Sequence, residues 1–347
     1  MHIPDNYLSV STCATLVGAT VPVWVRAISK VARDFPRERF SSLGVASAFA
    51  FLAMMFNVPL PGGTTGHAVG GTLLAVLLGP EPACIALTIA LAIQALIFGD
   101  GGILAFGANC FNMAFILPYA GYYTYRFLRR LFKSRSDVGE YFALGIASYV
   151  GINLSSIFAG VEFGLQPLLF HDASGQALYC PYGLSTALPA MAIGHLTIFG
   201  LAEVVFSVFV FAFVKRIAPD FIVNRASISA ENREDEKAVS ATSRFNALYL
   251  LLAVLILLTP LGLLASGTAW GDWGADEIAE VEVDGQTLGY VPEKMLDGFQ
   301  WSALIPDYST PGMPEWLSYI FSAVAGVAAI IVLFKLVSVF FRDKAPS

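Results

Sequence analysis

The sequence predicts an all-α integral membrane protein, and three observations lead there. Of the 347 residues, 56% are hydrophobic and only 13% are charged, about half the charged share of a typical soluble domain. The apolar residues gather into nine runs, most of them near the ~20 residues that a helix needs to cross a bilayer. The Lys and Arg residues between those runs sort to one side. All 20 except Lys294 lie on alternate loops or in the C-terminal tail, and the positive-inside rule makes that side cytoplasmic.

The runs follow in order. The first, 8–30, has no basic residue before Arg26 and no small-residue cleavage site near its start. It therefore reads as a retained span rather than a signal peptide. The second is 41–57. The third and fourth, 67–79 and 83–98, are short and separated by "GPEP", whose prolines stop helices. Runs 110–126 and 139–159 flank a basic loop with Arg126, Arg129, Arg130, Lys133 and Arg135. Run 185–214 completes a seven-span unit over 1–217. Residues 218–245 are polar, charged and low in aromatics, and are expected to be a flexible cytoplasmic linker. Runs 246–265 and 314–341 then flank an acidic external segment, 266–313, with Trp270, Trp273 and Trp301. The N-terminus is expected outside, together with 57–67, 99–110, 160–184 and 266–313, and the C-terminus in the cytoplasm.

Composition also excludes functions. A net charge of −6, with no aromatics interleaved among clustered basic residues, argues against nucleic acid as a partner. The four cysteines, Cys13, Cys84, Cys110 and Cys180, form no CxxC pair and read as small packing residues. The sequence has no G-x-x-x-x-G-K-[ST] loop for ATP phosphates and no H-E-x-x-H motif for a metalloprotease.

The opening "MHIPDNYLSV" places a histidine second in the chain. Met1 is expected to be retained, because His2 is too large for methionine removal. The amine of Met1, the backbone amide of His2 and the His2 imidazole then supply three nitrogens, which close a five- and a six-membered chelate ring in one plane. One further imidazole completes a square. His67, in the Gly-rich "PLPGGTTGHAVGG", lies on the same expected outer side. Square-planar nitrogen suits Ni(II) and Cu(II), whereas Zn prefers a tetrahedron and Mg or Ca prefer oxygen. Taken separately, His2 also reads as a polar terminal residue and His67 as a loop-bonding one.

"MHIPDNYLS", "PLPGGTTGHAVGG" and "QALIFGDGGILAFGANCFNMA" together resemble the substrate-binding M component of energy-coupling-factor (ECF) transporters for nickel and cobalt. The resemblance covers about 1–215. "GTAWGDWGADEI", "GYVPEKM" and "PDYSTPG" resemble, more loosely, the small N component of the same transporters, fused here behind the first. The resemblance implies a seven-helix S-component bundle plus two further transmembrane helices flanking an extracytoplasmic loop, in the cell membrane of a prokaryote. It implies Ni2+ or Co2+ as transported substrate, with no permanent cofactor, held by Met1, His2 and His67. "HIPD" looks like the nickel type, although Asn6 stands where glycine is more usual. The partners implied are a transmembrane coupling (T) subunit and ATP-binding (A) subunits, with membrane lipid around them, so this chain is itself no enzyme.

Other residues invite roles. Asp100 and Asn109, near the same mouth, can orient the imidazoles from behind, although Asp100 also suits a plain loop turn. Gln94, polar within a span, is explained by a bond to a neighbouring helix. The small-residue pairs Gly44/Ala48 and Ala46/Ala50 suit either docking of the coupling subunit or ordinary internal packing. Glu203, eight residues after His195 in the seventh span, supports the rival expectation of a proton-coupled secondary transporter; no inverted repeat is visible to accompany it. His171 reads as an exposed loop residue. The acidic segment 266–313 suits either cation gathering or a lid over the first unit.

Overall fold

The structure is a computed structural model and describes residues 1–35, 40–60, 64–132, 136–222, 237–265, 267–283 and 285–342. Half of the expected linker, residues 223–236, lies outside the described residues, as do Gly62, Gly63 and several of the expected cytoplasmic cations.

The fold is helical, as expected, with two minor β-hairpins among the described residues. α1 (Val10–Asp34) begins at Ser9, whose hydroxyl accepts from the Thr12 amide, the ordinary way an orphan N–H at a helix start is satisfied. α2 (Phe40–Met54) leads to a short hairpin, β1 (Asn57–Leu60) and β2 (Thr64–His67), in which Asn57 pairs with His67. α3 (Gly71–Leu78) turns at Gly79 straight into α4 (Pro80–Ile93). Gly79 has φ 103°, a conformation that side chains other than glycine resist. α4 ends in a π-turn, Gln94–Phe98. α5 (Phe106–Asn109) runs through a second π-turn, Cys110–Ile116, into α6 (Leu117–Phe132). α7 (Asp137–Leu169), α8 (Leu184–Leu196) and α9 (Ile198–Ile217) complete the first bundle. α10 (Lys237–Leu258) and α12 (Glu315–Arg342) form the second part. Between them a loop carries two short strands, β3 (Glu282–Val283) and β4 (Gln286–Thr287), and a short helix, α11 (Glu293–Asp297).

Among the described residues, six helical stretches are long and apolar enough to cross a membrane: 10–34, 80–98, 137–169, 184–217, 246–264 and 315–337, with 40–54 shorter. Two expectations need correction. Run 67–79 yields only the eight residues of α3, about 12 Å of helix, too short to span a bilayer alone. Every residue of α3 is buried. Its apolarity therefore reflects contact with other helices, where backbone at membrane depth need not match lipid thickness. Run 185–214 lies within the membrane-crossing stretch 184–217, as expected, but it is not one continuous helix. It breaks at Thr197, whose backbone is non-helical, while the Thr197 hydroxyl bonds back to the Ile193 carbonyl at 2.6 Å. α7 also continues ten residues past the expected end at 159.

Two ends of the bundle are distinguishable. At one, Lys30 pairs with Glu81 at 2.7 Å and Lys215 with Asp137 and Glu140 at 2.6 and 2.5 Å. These contacts gather the C-termini of α1 and α9 with the N-termini of α4 and α7. At the other end sit the amino terminus, the β1–β2 hairpin, residues 99–105 and the loop of the second part. The small residues of α2 are buried and covered from within: a Cβ at Gly44 would lie 3.3 Å from Phe334 on α12. The stripe is internal packing between the two parts, not a docking face. The four cysteines are buried and unpaired, as small apolar residues in a core.

Candidate metal centre

The first nine residues are pinned at nearly every step. The Asn109 side chain forms a two-way clamp with Ile3: its Oδ1 accepts from the Ile3 amide at 2.8 Å, and its Nδ2 donates to the Ile3 carbonyl at 3.0 Å. The Asp5 carboxylate accepts from the amides of Ile103 and Leu104 at 3.0 and 2.7 Å. Asn6 adopts φ 67° and exchanges two bonds with the backbone of Phe299. Asparagine tolerates this left-handed turn better than most residues, which is a physical use for the residue that departs from the expected glycine. The Tyr7 hydroxyl donates to the Trp273 carbonyl at 2.9 Å, and the Ser9 amide donates to Gln166 at 2.9 Å. Termini usually fray; this one is held by both parts of the chain.

Gly102 shows how tightly. A Cβ there would lie 2.5 Å from the Asp5 backbone nitrogen, so only glycine allows the terminal strap to lie against the 99–105 loop.

The strap places Met1 and His2 beside His67. Met1, His2 and His67 are 9%, 7% and 8% exposed. His67 Nε2 lies 3.2 Å from His2 Nδ1, with ring centroids 5.0 Å apart. His67 Nδ1 is 3.2 Å from the Ala68 carbonyl. A carbonyl can only accept, so His67 carries its proton on Nδ1 and turns the Nε2 lone pair toward His2. His2 Nδ1 is also 3.1 Å from Asp100 Oδ1. Metal–imidazole bonds of about 2.0 Å put two nitrogens cis on one ion about 2.8 Å apart. The observed separation is within half an ångström of that.

Electrostatics disfavour the protonated form of each of these donors. Burial pushes the His2 imidazole down to about 3, helped by the neighbouring terminal amine. Burial also lowers His67 well below its ordinary value, with the amine and His2 adding to it. The Met1 amine is lowered by burial and raised in part by Asp272 and Asp100. Metal ligands must give up their protons, so a site that already disfavours the protonated forms is prepared for a cation. Met1, His2 and His67 line a cavity of about 650 Å³ with Asp100, Asp272, Asp307, Tyr308 and Glu315. Burial pushes the Asp272 carboxyl up to about 8, with Asp100 contributing.

The second part of the chain enters the site through Tyr308. Its hydroxyl donates to Asp100 Oδ2 at 2.5 Å and receives a bond from Gln94 Nε2 at 3.2 Å; Gln94 Nε2 also donates to Asp100 Oδ2 at 3.1 Å. Asp100 is thus more than a loop turn. Gln94 and Tyr308 went unrecognised as site residues in the sequence. The π-turn after α4 swings Gln94 and Asp100 together, and π-turns of this kind often mark functional sites. Nothing in the local pattern announces it.

Among the described residues, no three His, Cys, Asp or Glu side chains converge as a metal-holding group. Glu203 and His195 have other duties. The Glu203 carboxylate accepts from the Val69 amide at 2.7 Å and the Gly70 amide at 3.0 Å, anchoring the segment between His67 and α3. His195 Nδ1 bonds the Met191 carbonyl at 2.8 Å, and its ring meets Phe199. Phe199 in turn packs on Gly66, where a Cβ would lie 2.7 Å from its ring. His171 is exposed, in a loop bridge with Ala177.

Comparison with known proteins gives a consistent picture. Residues 2–221 match the family described as cobalt uptake substrate-specific transmembrane region, CbiM, and residues 244–343 match the PDGLE domain. The probable fused nickel transport protein LarMN of Lactiplantibacillus plantarum is 48% identical over 337 residues, 96% of this chain and 97% of that protein. The fused nickel transport protein NikMN of Rhodobacter capsulatus is 43% identical over 344 residues, 95% of each chain. A crystal structure described as a transition metal transporter, 49% identical, covers 67% of this chain and all of its own, with a TM-score of 0.61. The chain is therefore a multi-pass membrane member of the cobalt uptake substrate-specific transmembrane region family, continued in the same polypeptide by a PDGLE domain.

Proposed function

We propose that this chain is the substrate-binding component of an ATP-driven ECF-type importer. It takes Ni2+, or Co2+, through the Met1 amine, the His2 amide and imidazole, and the His67 imidazole. The observation that supports this most is the facing pair of uncharged, buried nitrogens, His2 Nδ1 and His67 Nε2, 3.2 Å apart beside a pinned amino terminus. The relatives bearing the names of fused nickel transport proteins favour nickel among the two metals, as does the planar nitrogen set.

The end of the bundle that holds the terminus is the outer face, because the cations of Lys30 and Lys215 mark the opposite end as cytoplasmic. The ion enters the acidic cavity from outside. It takes the place of the proton at His2 Nδ1, which moves to Nε2 of the same ring, and releases the proton of the His2 amide, and His67 Nε2 closes the square. The chain has no phosphate-binding loop, so a coupling subunit and separate ATPase subunits supply the energy that opens the site inward. The unit boundaries at 1–217 and 246–347, joined by the 218–245 linker, belong to the same reading.

The test is nickel titration of the purified chain against a variant with one alanine inserted between Met1 and His2, with intact mass confirming each amino terminus. Loss of tight binding and of the yellow square-planar absorption supports the site. Unchanged binding removes Met1 and His2 from it. The proton-coupled alternative, using Glu203 and His195, is disfavoured because backbone amides already engage the Glu203 carboxylate.

A further inference from the structure

His2 presents a puzzle on its far side. Its Nδ1 lies 3.1 Å from Asp100 Oδ1 and 3.2 Å from His67 Nε2. His67 keeps its own proton on Nδ1, toward the Ala68 carbonyl. Both neighbours of His2 Nδ1 are therefore acceptors, and the neutral ring must hold its proton there. His2 Nε2 is then a bare lone pair, buried and without a partner. Gln94, fully buried, has its side chain close enough to His2 to affect the imidazole. Its amide is not free to turn. Gln94 Nε2 donates to Asp100 Oδ2 and to the Tyr308 hydroxyl, and a flipped amide would set Oε1 against the carboxylate. The Gln94 Oε1 is accordingly fixed, and it too is buried without a partner. Two unmet acceptors are costly to bury.

Metal at Nδ1 removes the mismatch. A neutral imidazole that gives Nδ1 to a cation must carry its hydrogen on Nε2. The nearby acceptor without a partner that can meet that hydrogen is Gln94 Oε1. We propose that Gln94 is a positioning residue for the metal centre: it accepts Nε2–H from His2 only when Nδ1 has passed from Asp100 to the ion, and Tyr308 of the second part holds it in that orientation. The ring thus has two settings. In one, Asp100 accepts from Nδ1 and Gln94 is idle; in the other, the ion occupies Nδ1 and Gln94 is satisfied. This rests on the reading of Met1, His2 and His67 as the metal site. It extends that reading by giving the PDGLE part a share in it, through one hydroxyl.

The experiment uses the full chain with ¹⁵N-labelled histidine, His2 being assigned by its absence in His2→Ala. Nickel is the added ion, since its square-planar complex is diamagnetic. The expected spectrum shows His2 protonated on Nδ1 before nickel and on Nε2 after it. Gln94→Met, which keeps the volume and removes the acceptor, is expected to weaken nickel binding about 10- to 100-fold. Gln94→Met is also expected to shift the ¹⁵N–¹H resonance of the nickel-bound His2 Nε2–H, which loses its acceptor; a purely packing role predicts no such shift. A metal-free His2 already protonated on Nε2 overturns the proposal, and needs no variant to be seen. So does nickel affinity in Gln94→Met within twofold of wild type while the alanine insertion after Met1 abolishes binding. Persistence of binding in that insertion variant overturns the metal site itself, and the role of Gln94 with it.

Discussion

Asn109→Leu removes the clamp on Ile3 while preserving side-chain size. Asn109 is 3% and Ile3 0% exposed, so no water replaces what is lost. The Ile3 carbonyl keeps a second bond, from the Gly102 amide at 2.8 Å. The Ile3 amide has only Asn109 Oδ1 among the contacts described. Leaving a buried N–H unmet costs about 1–3 kcal/mol, and the second lost bond adds about 1. The docked terminus therefore loses roughly 2–4 kcal/mol relative to an undocked one. Asp5 and Ser9 still tether the strap, so only part of this reaches the donors. A tenfold weakening of nickel binding, about 1.4 kcal/mol, is the expected size, because affinity scales with the population of the competent state. Calorimetric titration of the detergent-solubilised protein at pH 7.5 measures it, with thermal unfolding as a check that the bundle persists. Nickel binding within twofold of wild type in a folded Asn109→Leu protein would refute the reasoning that the clamp sets the donor geometry.

Acid should weaken nickel binding through the main chain rather than the imidazoles. His2 stays neutral down to about pH 3 and His67 is lowered as well, so neither takes up a proton near neutrality. The His2 amide releases one proton on binding at any pH, and the amine, lowered from 8.0, adds a second only below its own shifted value. Each unit of falling pH should therefore raise Kd about tenfold, steepening toward a hundredfold in acid; a Kd flat from pH 6 to 8 would exclude the amide as a ligand. Glu203→Leu leaves the Val69 and Gly70 amides unmet inside the bundle, a cost of about 2–6 kcal/mol, and should lower both thermal stability and nickel affinity. Glu203→Gln keeps an acceptor and should do less, whereas a proton relay predicts that both variants bind nickel normally and fail only in uptake. Gly102→Ala forces the 99–105 loop off the Asp5 backbone and should abolish tight binding while far-ultraviolet circular dichroism stays unchanged. Tyr308→Phe removes the hydroxyl that joins Gln94 to Asp100 and should weaken nickel binding several-fold; an unaltered titration would confine the PDGLE part to packing.

Much of this was legible before any coordinates. Sequence by itself determined the class of the protein: low charge, long apolar runs and one-sided cations leave lipid as the only solvent in which such a chain is stable. It also singled out His2 and His67 as candidates, because an amine, an amide and an imidazole at positions 1 and 2 can close a chelate whatever the fold. What it misjudged were quantities that depend on neighbours. α3 is apolar like a span, yet its residues face other helices, and hydropathy cannot tell protein from lipid as the apolar surroundings. The small-residue pairs of α2 looked equally fit for a partner subunit or an internal contact, and only Phe334, almost 300 residues along the chain, decides for the latter. The break at Thr197 leaves no proline behind to announce it.

Only the tertiary structure could assemble the centre itself. Asn109 meets Ile3 across 106 residues and Tyr308 meets Asp100 across 208. Contacts so distant leave no periodicity in either segment. The π-turn that brings Gln94 round to Asp100 is set by packing of the bundle rather than by local propensity. The residue types at the amino terminus determine which ion the nitrogens suit; the long-range hydrogen bonds decide whether those nitrogens stand still long enough to hold it.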